Sequence, residues 1–281
     1  MTTVAVLHPG EMGTAIATGV RAGGHRVVWS SEGRSRATHQ RAELAGLDAV
    51  ADLASAVLVA DVILSVCPPD AAFDVAVAVA DLGFSGVYVD ANAVAPSTAG
   101  RIALRVAAAG ADYVDAGIIG GPSAPRLFLA GARACEVADL FPVEKPVTPV
   151  VLNTQAGGTE EVYAASALKM VYAAWSKGTT ALLVAVAAAA DGLGVASALH
   201  EEWARSQPGL QARLAASAGV ARKAWRWEGE MNEIAETLRG VGLPDGFHLA
   251  AAEIYARMAE FKDAEPPSAQ LQDVLRAVRA T

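Results

Sequence analysis

The sequence predicts an α/β N-terminal domain with a doubly wound sheet, followed by an all-α C-terminal domain. Two observations carry this prediction. In the first half, short runs rich in Val and Ile alternate with alanine-rich segments, the pattern of a parallel sheet covered by helices on both faces. After residue 153 the pattern is helical and no convincing strand follows. We therefore expect two domains, residues 1–153 and 154–281.

Strands are expected where β-branched runs are bounded by turn residues, and helices in the segments between them. The predicted strands are residues 4–7, 26–29, 62–66, 87–89 and 113–115, with 127–130 and 149–153 as further candidates. The predicted helices of this half are residues 14–22, 35–45, 53–60, 71–80 and 97–109. A long helix with Thr159 as its N-cap is expected from residue 160 to about 190, and four or five helices after it.

Composition argues against a disordered protein, a nucleic-acid-binding protein and a membrane protein. With 281 residues and 53% hydrophobic side chains, the chain can bury a core. Its net charge is −8 and it has no Lys/Arg run, so nucleic acid is not an expected partner. The longest membrane-like stretch, residues 181–190, is about half of a spanning helix, and the N-terminus is unlike a signal peptide. We expect a cytoplasmic protein that binds no membrane, with Cys67 and Cys135 as buried thiols.

The segment after the first predicted strand has the form of a tight turn that opens a helix. It reads His8-Pro9-Gly10-Glu11-Met12-Gly13. Gly10 lacks a Cβ, so the backbone can approach a pyrophosphate that faces the free N–H groups of the helix start. Gly13 allows helix and strand to pack closely, while His8 stands where a G-x-G-x-x-G fingerprint begins. This predicts a Rossmann-type dinucleotide site, with an ordinary βα turn as the alternative.

The end of the second predicted strand bears on the choice between NAD and NADP. An acidic residue there would bind the ribose 2′-hydroxyl and repel a 2′-phosphate, but Ser30 occupies that position. Ser31, Arg34 and Ser35 can donate hydrogen bonds to a phosphate. We therefore predict that NADP is preferred over NAD. The alternative is that Arg34 only caps a solvated helix start.

With these features the sequence resembles the β-hydroxyacid dehydrogenases, the superfamily of 6-phosphogluconate dehydrogenase and the imine reductases. More narrowly, it resembles the 6-phosphogluconate-dehydrogenase-like branch with a divergent C-terminal domain of uncharacterised function. The resemblance covers essentially the whole chain and rests on the order and spacing of residues 8–13, 61–68, 90–96, 115–122 and 167–173. It implies a loop beside the nicotinamide formed by Val66, Cys67 and Pro68. It also implies a homodimer in which the C-terminal helices interlock.

The sequence departs from the family pattern at substrate-binding positions. Ile119 stands where the family has Ser, Ala173 where it has Asn, and Asn92 where it has the Ser of Asp-x-Ser-Thr. Glu230 falls near a later Lys-Asp pair of the family, whereas Lys169 is retained at the position of its catalytic lysine. The resemblance therefore implies the fold and the cofactor, but not an ordinary small 3-hydroxy acid as substrate.

Lys169 is the candidate general acid/base. It is the one charge in an apolar helical stretch, and partial burial makes an ammonium group easier to deprotonate. The alternative is a lysine that snorkels at a helix edge. Tyr172 and Ser176 follow on the same helix face, where Tyr172 can donate to a substrate oxygen or pack in an interface.

Further candidates lie in the loops of the first half and in the helices of the second. Asn92 is expected to bind substrate or the cofactor carboxamide, or else to shape a turn. Gly120 and Gly121 allow close backbone approach near the cofactor, and Pro122 shapes that loop. His248 can be a polar contact to substrate, a cap or a core histidine. The histidines have no metal-ligand spacing, so no metal is expected.

The sequence thus predicts an NADP-dependent dehydrogenase or reductase that acts on a small hydroxy or oxo compound. An imine reductase-like enzyme is an alternative, against which the lysine argues because those relatives usually carry Asp, Tyr or Asn at that position. A non-catalytic NADP-binding or sensor protein is the other alternative, favoured by the departures at the Ser and Asn positions.

Overall fold

The computed structural model of the chain describes residues 1–142, 146–152, 163–262 and 270–279. The chain divides into two compact units, Met1–Met170 and Val171–Thr281. The first is an α/β unit and the second is helical, so the predicted fold class is confirmed. The predicted domain boundary at residues 153 and 154 lies outside the described residues, as do the predicted N-cap Thr159 and residue 160, where the long helix is expected to begin.

The first unit contains all of the described strands. They are β1 (Thr3–Val6), β2 (Arg26–Ser30), β3 (Asp48–Val50), β4 (Val62–Ser65), β5 (Val87–Asp90), β6 (Asp112–Ile119), β7 (Arg126–Ala130) and β8 (Thr148–Val151). The helices between them are α1 (Glu11–Ala22), α2 (Arg36–Leu44), α3 (Leu53–Val59), α4 (Pro69–Asp81), α5 (Pro96–Ala107) and α6 (Ala134–Ala138).

The strands form one sheet in the order β3-β2-β1-β4-β5-β6-β7-β8. The strands β1 to β6 are parallel to one another, with Val4 opposite both Val27 and Val62. The strand order reverses between β1 and β4, and ligands of such sheets bind outside the carboxyl ends of the strands at that point. The topology therefore selects the loops after β1, β2, β4 and β5 as the place for a site.

Both faces of the sheet are covered, as the continuous apolar strands predict. Val4 and Val6 lie in the core under α1, α2 and α6, whereas Ala5 and Leu7 lie in the core under α3, α4 and α5. This alternation is the period-2 geometry of a strand with two buried faces.

The structure corrects several details of the predicted sheet. β7 is antiparallel to β6, so the sheet is not parallel throughout; the connection between them is too short for a parallel crossover. β6 continues to Ile119, four residues beyond its predicted end, through Ala116 and Gly117, residues of low strand propensity. The edge strand β3 and the short helix α6 were not predicted. Cys135 is exposed on α6 and is not a buried thiol.

The helix α7 (Ala164–Gly192) begins in the first unit and continues into the second. The second unit adds α8 (Ala196–Ser206), α9 (Leu210–Ala224), α10 (Trp227–Gly240), α11 (Gly246–Arg257) and α12 (Leu271–Arg279), with a short 3₁₀ turn at Ala259–Phe261. By length and composition α7 is apolar enough to cross a membrane, although part of it is buried inside the protein.

Candidate active site

The turn after β1 has the geometry of a phosphate cradle. Gly10 is the N-cap of α1, and a Cβ built on it would meet nothing within 4 Å. A Cβ on Gly13 would lie 2.2 Å from the backbone oxygen of His8, so only glycine permits this close packing of α1 on the turn. Glu11 and Met12 form the first turn of α1, where backbone N–H groups lack intrahelical partners. Open space at Gly10 and these N–H groups fit a dinucleotide pyrophosphate.

Three side chains from different loops interact electrostatically at this edge. Burial, and then the charge of Arg34, lowers the pKa of His8 to about 4, so His8 is neutral near pH 7. Burial, and then Asp90, raises the pKa of Cys67 to about 12, so its thiol is not a nucleophile. The Nδ1 atom of His8 and the Nε atom of Arg34 are buried and have no hydrogen-bond partner among the residues that the structure describes. Such atoms fit a polar ligand.

The loop after β2 contains fewer available donors than the sequence predicts. The Ser31 hydroxyl donates to the Val50 carbonyl at 3.0 Å. The Ser35 hydroxyl caps α2 by accepting the amide of Thr38 at 3.3 Å, and Ser30 is buried at the end of β2. The serines therefore support the loop, and Arg34 is the better candidate for contact with a 2′-phosphate.

Asn92 joins the ends of β4 and β5. Its Nδ2 group donates to Asp90 Oδ1 at 2.6 Å and to Ser65 Oγ at 3.1 Å, and its Oδ1 accepts the amide of Cys67 at 2.6 Å. Since both N–H bonds are used within the protein, the side chain orients the Cys67–Pro68 loop. The hydrogen bonds favour the turn role for Asn92; contact with substrate or cofactor stays a prediction. Val66 and Pro68 are half-buried in the same loop.

The turn between β6 and β7 is exposed at the edge of the sheet. Gly120 has φ +105°, a left-handed conformation that favours glycine. Gly121 has open space where a Cβ would be, and its carbonyl accepts the amide of Ala124 at 3.2 Å. Pro122 is exposed in the same turn. The backbone of this turn is open to solvent at Gly121; close approach to a cofactor or substrate stays a prediction.

Lys169 lies on the second turn of α7, close to β6. A Cβ on Gly117 would lie 3.1 Å from the Cβ of Lys169 and 2.7 Å from the Ala165 carbonyl oxygen. The buried Asp115 accepts hydrogen bonds from Ser166, from its amide at 2.9 Å and its hydroxyl at 2.5 Å. Lys169 is half-buried, and its segment of α7 is held near β6 by the close approach at Gly117 and by the hydrogen bonds of Ser166.

The remaining predicted site residues belong to the helical unit. Tyr172 is 47% exposed and Ser176 is half-buried, with its carbonyl accepting from Thr180 at 3.0 Å. The His248 Nε2 atom lies 3.2 Å from the Ala174 carbonyl oxygen. This contact favours the packing role for His248, and a substrate contact of any of the three stays a prediction.

Glu230, which falls near a later Lys-Asp pair of the family pattern, forms an ion pair within the helical unit. It is buried and contacts Lys177, whose Nζ lies 4.9 Å from the centre of the Trp227 ring. The Tyr255 hydroxyl donates to the Lys177 carbonyl at 2.7 Å. Lys177 was not predicted, because it is paired through tertiary contacts 53 residues apart in sequence.

The sequence reasoning also missed three residues of the first unit: Ser65, Asp115 and Ser166. Each is buried and polar. Asp115 ends the predicted strand 113–115, and an acidic residue followed by the apolar residues 116–119 was the available signal. Among the residues that the structure describes, no group of three or more His, Cys, Asp or Glu side chains could hold a metal ion.

Two family models match the chain. Residues 3–140 match the NAD binding domain of 6-phosphogluconate dehydrogenase, and residues 190–258 match a domain of unknown function, DUF1932. No curated protein matches the chain in sequence. The first model covers the sheet edge described above, so its residues form part of an NAD(P)-binding domain.

Several solved structures are similar to this chain over almost its whole length. A conserved hypothetical protein from Sinorhizobium meliloti 1021 is 27% identical, with a TM-score of 0.64 over 99% of this chain and 96% of that one. A 3-hydroxyisobutyrate dehydrogenase from Mycobacterium tuberculosis, solved with L-serine, is 18% identical, with a TM-score of 0.64 over 100% of both chains. A reductive aminase from Aspergillus terreus, solved with NADPH4, cyclohexanone and allyl amine, is 17% identical, with a TM-score of 0.55 over 99% of both chains.

At 18% and 17% identity the last two likenesses show the fold alone. Together with the two family models they confirm the resemblance drawn from the sequence. The chain therefore joins a segment that matches the NAD binding domain of 6-phosphogluconate dehydrogenase to a segment that matches DUF1932, as the resemblance implies.

Proposed function

We propose that this chain is an NADP-dependent oxidoreductase that transfers hydride between nicotinamide and a small hydroxy or oxo compound. The observation that carries the proposal is the open cradle at Gly10, with the Arg34 Nε at the same edge of the sheet, buried and not hydrogen bonded to any described residue. A bound nicotinamide supplies the hydride chemistry. The chain itself must orient the two reactants and move one proton.

The preference for NADP rests on charge at the end of β2. Ser30 replaces the acidic residue that would repel a 2′-phosphate. Arg34 supplies a guanidinium that matches phosphate geometry. Ser31 and Ser35 support this loop through their own hydrogen bonds.

Lys169 is the proposed general acid/base. In oxidation of an alcohol it accepts the hydroxyl proton as the carbonyl forms, and in reduction it returns that proton to the carbonyl oxygen. The close approach at Gly117 and the Asp115–Ser166 hydrogen bonds support a fixed position for its backbone and Cβ atom. Tyr172, Ser176 and His248 remain candidates for substrate contact, together with Gly120, Gly121 and Pro122.

The test compares the wild-type protein with Lys169→Met on a panel of small alcohols and hydroxy acids with NADP⁺, and of aldehydes and cyclic imines with NADPH. We expect turnover of a hydroxy or oxo compound that falls by about 10²-fold or more in Lys169→Met. Full turnover by Lys169→Met would remove the proposed role. Turnover of imines alone would favour the imine reductase alternative, and tight NADPH binding without any turnover would favour a sensor.

We also propose a cytoplasmic homodimer with residues 1–153 as the NADP-binding domain and 154–281 as the substrate and dimerisation domain. Support for the dimer comes from large apolar side chains exposed along α7: Trp175 is 73% exposed and Leu182 is 53% exposed. They recur at helical spacing together with Val186. A second copy of the chain is the occupant that the family resemblance implies for this face. We expect neither a membrane nor a nucleic acid as partner.

A further inference from the structure

Alternate residues of β6 hold the first turns of α7. Asp115, Gly117 and Ile119 share one face of the strand, because side chains alternate along it. Ile119 packs in a small core with Ala165 and the half-buried Leu168. The strand therefore contacts α7 at three successive levels, of which the lysine level is the middle one.

At the first level, Asp115 accepts hydrogen bonds from the first turn of α7. Its Oδ2 accepts the Ser166 amide at 2.9 Å and its Oδ1 accepts the Ser166 hydroxyl at 2.5 Å, and the Ala165 amide also hydrogen bonds to it. A carboxylate at this place is favoured by the helix dipole. Ser166 lies three residues before Lys169, almost one helical turn.

At the second level, Gly117 has no side chain, so α7 can pack directly against β6. A Cβ there would approach the Cβ of Lys169 to 3.1 Å and the Ala165 carbonyl oxygen to 2.7 Å. The backbone of Lys169 therefore has a defined distance from β6, and Asp115 defines its position along the strand.

The burial of Asp115 argues that it does more than cap a helix. Asp115 and Ser166 are both fully buried, and a buried carboxylate is costly unless it is hydrogen bonded. The pKa of Asp115 is raised to about 7. Burial raises it most, the Ser166 hydrogen bonds lower it, and the nearby charge of Asp90 raises it. Tyr163 also lies within the influence of Asp115. A serine or asparagine could cap α7 without this cost.

We propose that Asp115 is a positioning residue that, through Ser166 and with the contact at Gly117, sets where the Lys169 ammonium lies relative to the carboxyl edge of the sheet. The chemical meaning of that position rests on the proposed function of Lys169. The alternative is that Asp115 only stabilises the fold.

The test observes Lys169 directly. The chain has five lysines, Lys145, Lys169, Lys177, Lys223 and Lys262. Reductive methylation with ¹³C-formaldehyde therefore gives few NMR signals, and Lys169→Arg assigns the relevant one. We expect the Lys169 signal and its methylation rate to change in Asp115→Asn and in Ser166→Ala, and Ser166→Thr, which keeps the hydroxyl, to restore both.

Asp112→Asn is the matched control, since Asp112 lies on the same strand but is exposed and paired with Arg133 at 2.8 Å. We expect it to leave the Lys169 signal unchanged, and all variants to leave the other lysine signals unchanged. If Asp115→Asn does not fold, Ser166→Ala decides alone, because it keeps the backbone hydrogen bond.

An unchanged Lys169 signal in folded Ser166→Ala and Asp115→Asn would overturn the positioning role. That outcome is distinct from failure of the proposed function, which is full turnover by Lys169→Met and does not depend on the NMR result. Equal movement of all lysine signals would also overturn the proposal, since it would indicate a general loss of structure.

Discussion

The backbone amide of Cys67 donates to Oδ1 of Asn92 at 2.6 Å, which ties the loop after β4 to the end of β5. The same side chain donates to Ser65 and Asp90. One amide group thus orients the loop that the family resemblance places beside the nicotinamide. Removal of that group would break three hydrogen bonds in a buried part of the fold.

We predict that Asn92→Ala lowers the free energy of unfolding by about 1–3 kcal/mol, because buried polar groups lose their hydrogen bonds. Asn92→Asp should cost more, since it brings a second carboxylate to Asp90. Denaturant titration measures both, with Asn232→Ala on the exposed face of α10 as control. A wild-type midpoint for Asn92→Ala would contradict the role described for this side chain.

Substitution of Gly10 should affect cofactor binding, whereas substitution of Gly13 should affect folding. Gly10→Ala places a methyl group in open space, so we expect wild-type stability and NADPH affinity lower by about tenfold or more, equivalent to about 1.4 kcal/mol. Gly13→Ala would clash with the His8 carbonyl oxygen and should lower the free energy of unfolding by about 1–3 kcal/mol. Thermal melts and NADPH fluorescence measure both quantities. Unchanged NADPH affinity in Gly10→Ala would contradict the cradle.

The pKa of Asp115 predicts how stability depends on pH. Its folded pKa of about 7 lies above the unfolded value, so this carboxyl group favours the folded state at low pH, and that contribution is lost as pH rises through about 7. Asp115→Asn should remove this loss between about pH 4 and pH 7. Urea titrations across that range measure the free energy of unfolding.

His8 should give a pH dependence of stability that is opposite in sign to that of Asp115. Its folded pKa of about 4 lies below the unfolded value, so the neutral imidazole contributes stability above about pH 6.5 that is lost as pH falls toward 4. His8→Asn should remove this second dependence. If the free energy of unfolding depends on pH in Asp115→Asn as it does in the wild-type protein, the raised pKa of Asp115 is contradicted.

The exposed side chain of Trp175 should matter for assembly. We predict that the wild-type protein has about twice the 28.7 kDa mass of one chain, and that Trp175→Glu shifts it toward the monomer because a charge cannot be buried in an apolar interface. Leu104→Glu, a comparably exposed apolar position on α5, is the control. Light scattering gives the masses, and a monomeric wild type would contradict the proposed dimer.

The sequence predicted the alternation of strands and helices because buried parallel strands are continuous apolar runs with turn residues between them. It also predicted the glycine turn, since Gly10 and Gly13 act through local backbone geometry. The reversal of β7 depends instead on the short turn from β6, whose conformation is set by Gly120 and not by hydrophobic pattern.

The roles of side chains in the site were less predictable. Ser31 and Asn92 have the composition of ligand contacts, but their partners Val50 and Cys67 are distant in sequence, so pattern alone did not show that these groups are hydrogen bonded within the protein. Asp115 acts on Ser166 across 51 positions. Such pairings arise from the sheet order and not from any spacing in the chain.

The most direct measurement is a titration of the purified protein with NADPH and with NADH, followed by nicotinamide fluorescence, for wild type, Arg34→Ala and Arg36→Ala. The account predicts micromolar NADPH binding, much weaker NADH binding, and a loss of about ten- to hundredfold in NADPH affinity in Arg34→Ala, since charged hydrogen bonds contribute about 1.5–3 kcal/mol. The exposed neighbour Arg36 should have little effect. A preference for NADH would contradict the role of Arg34, and binding of neither nucleotide would contradict the proposed oxidoreductase.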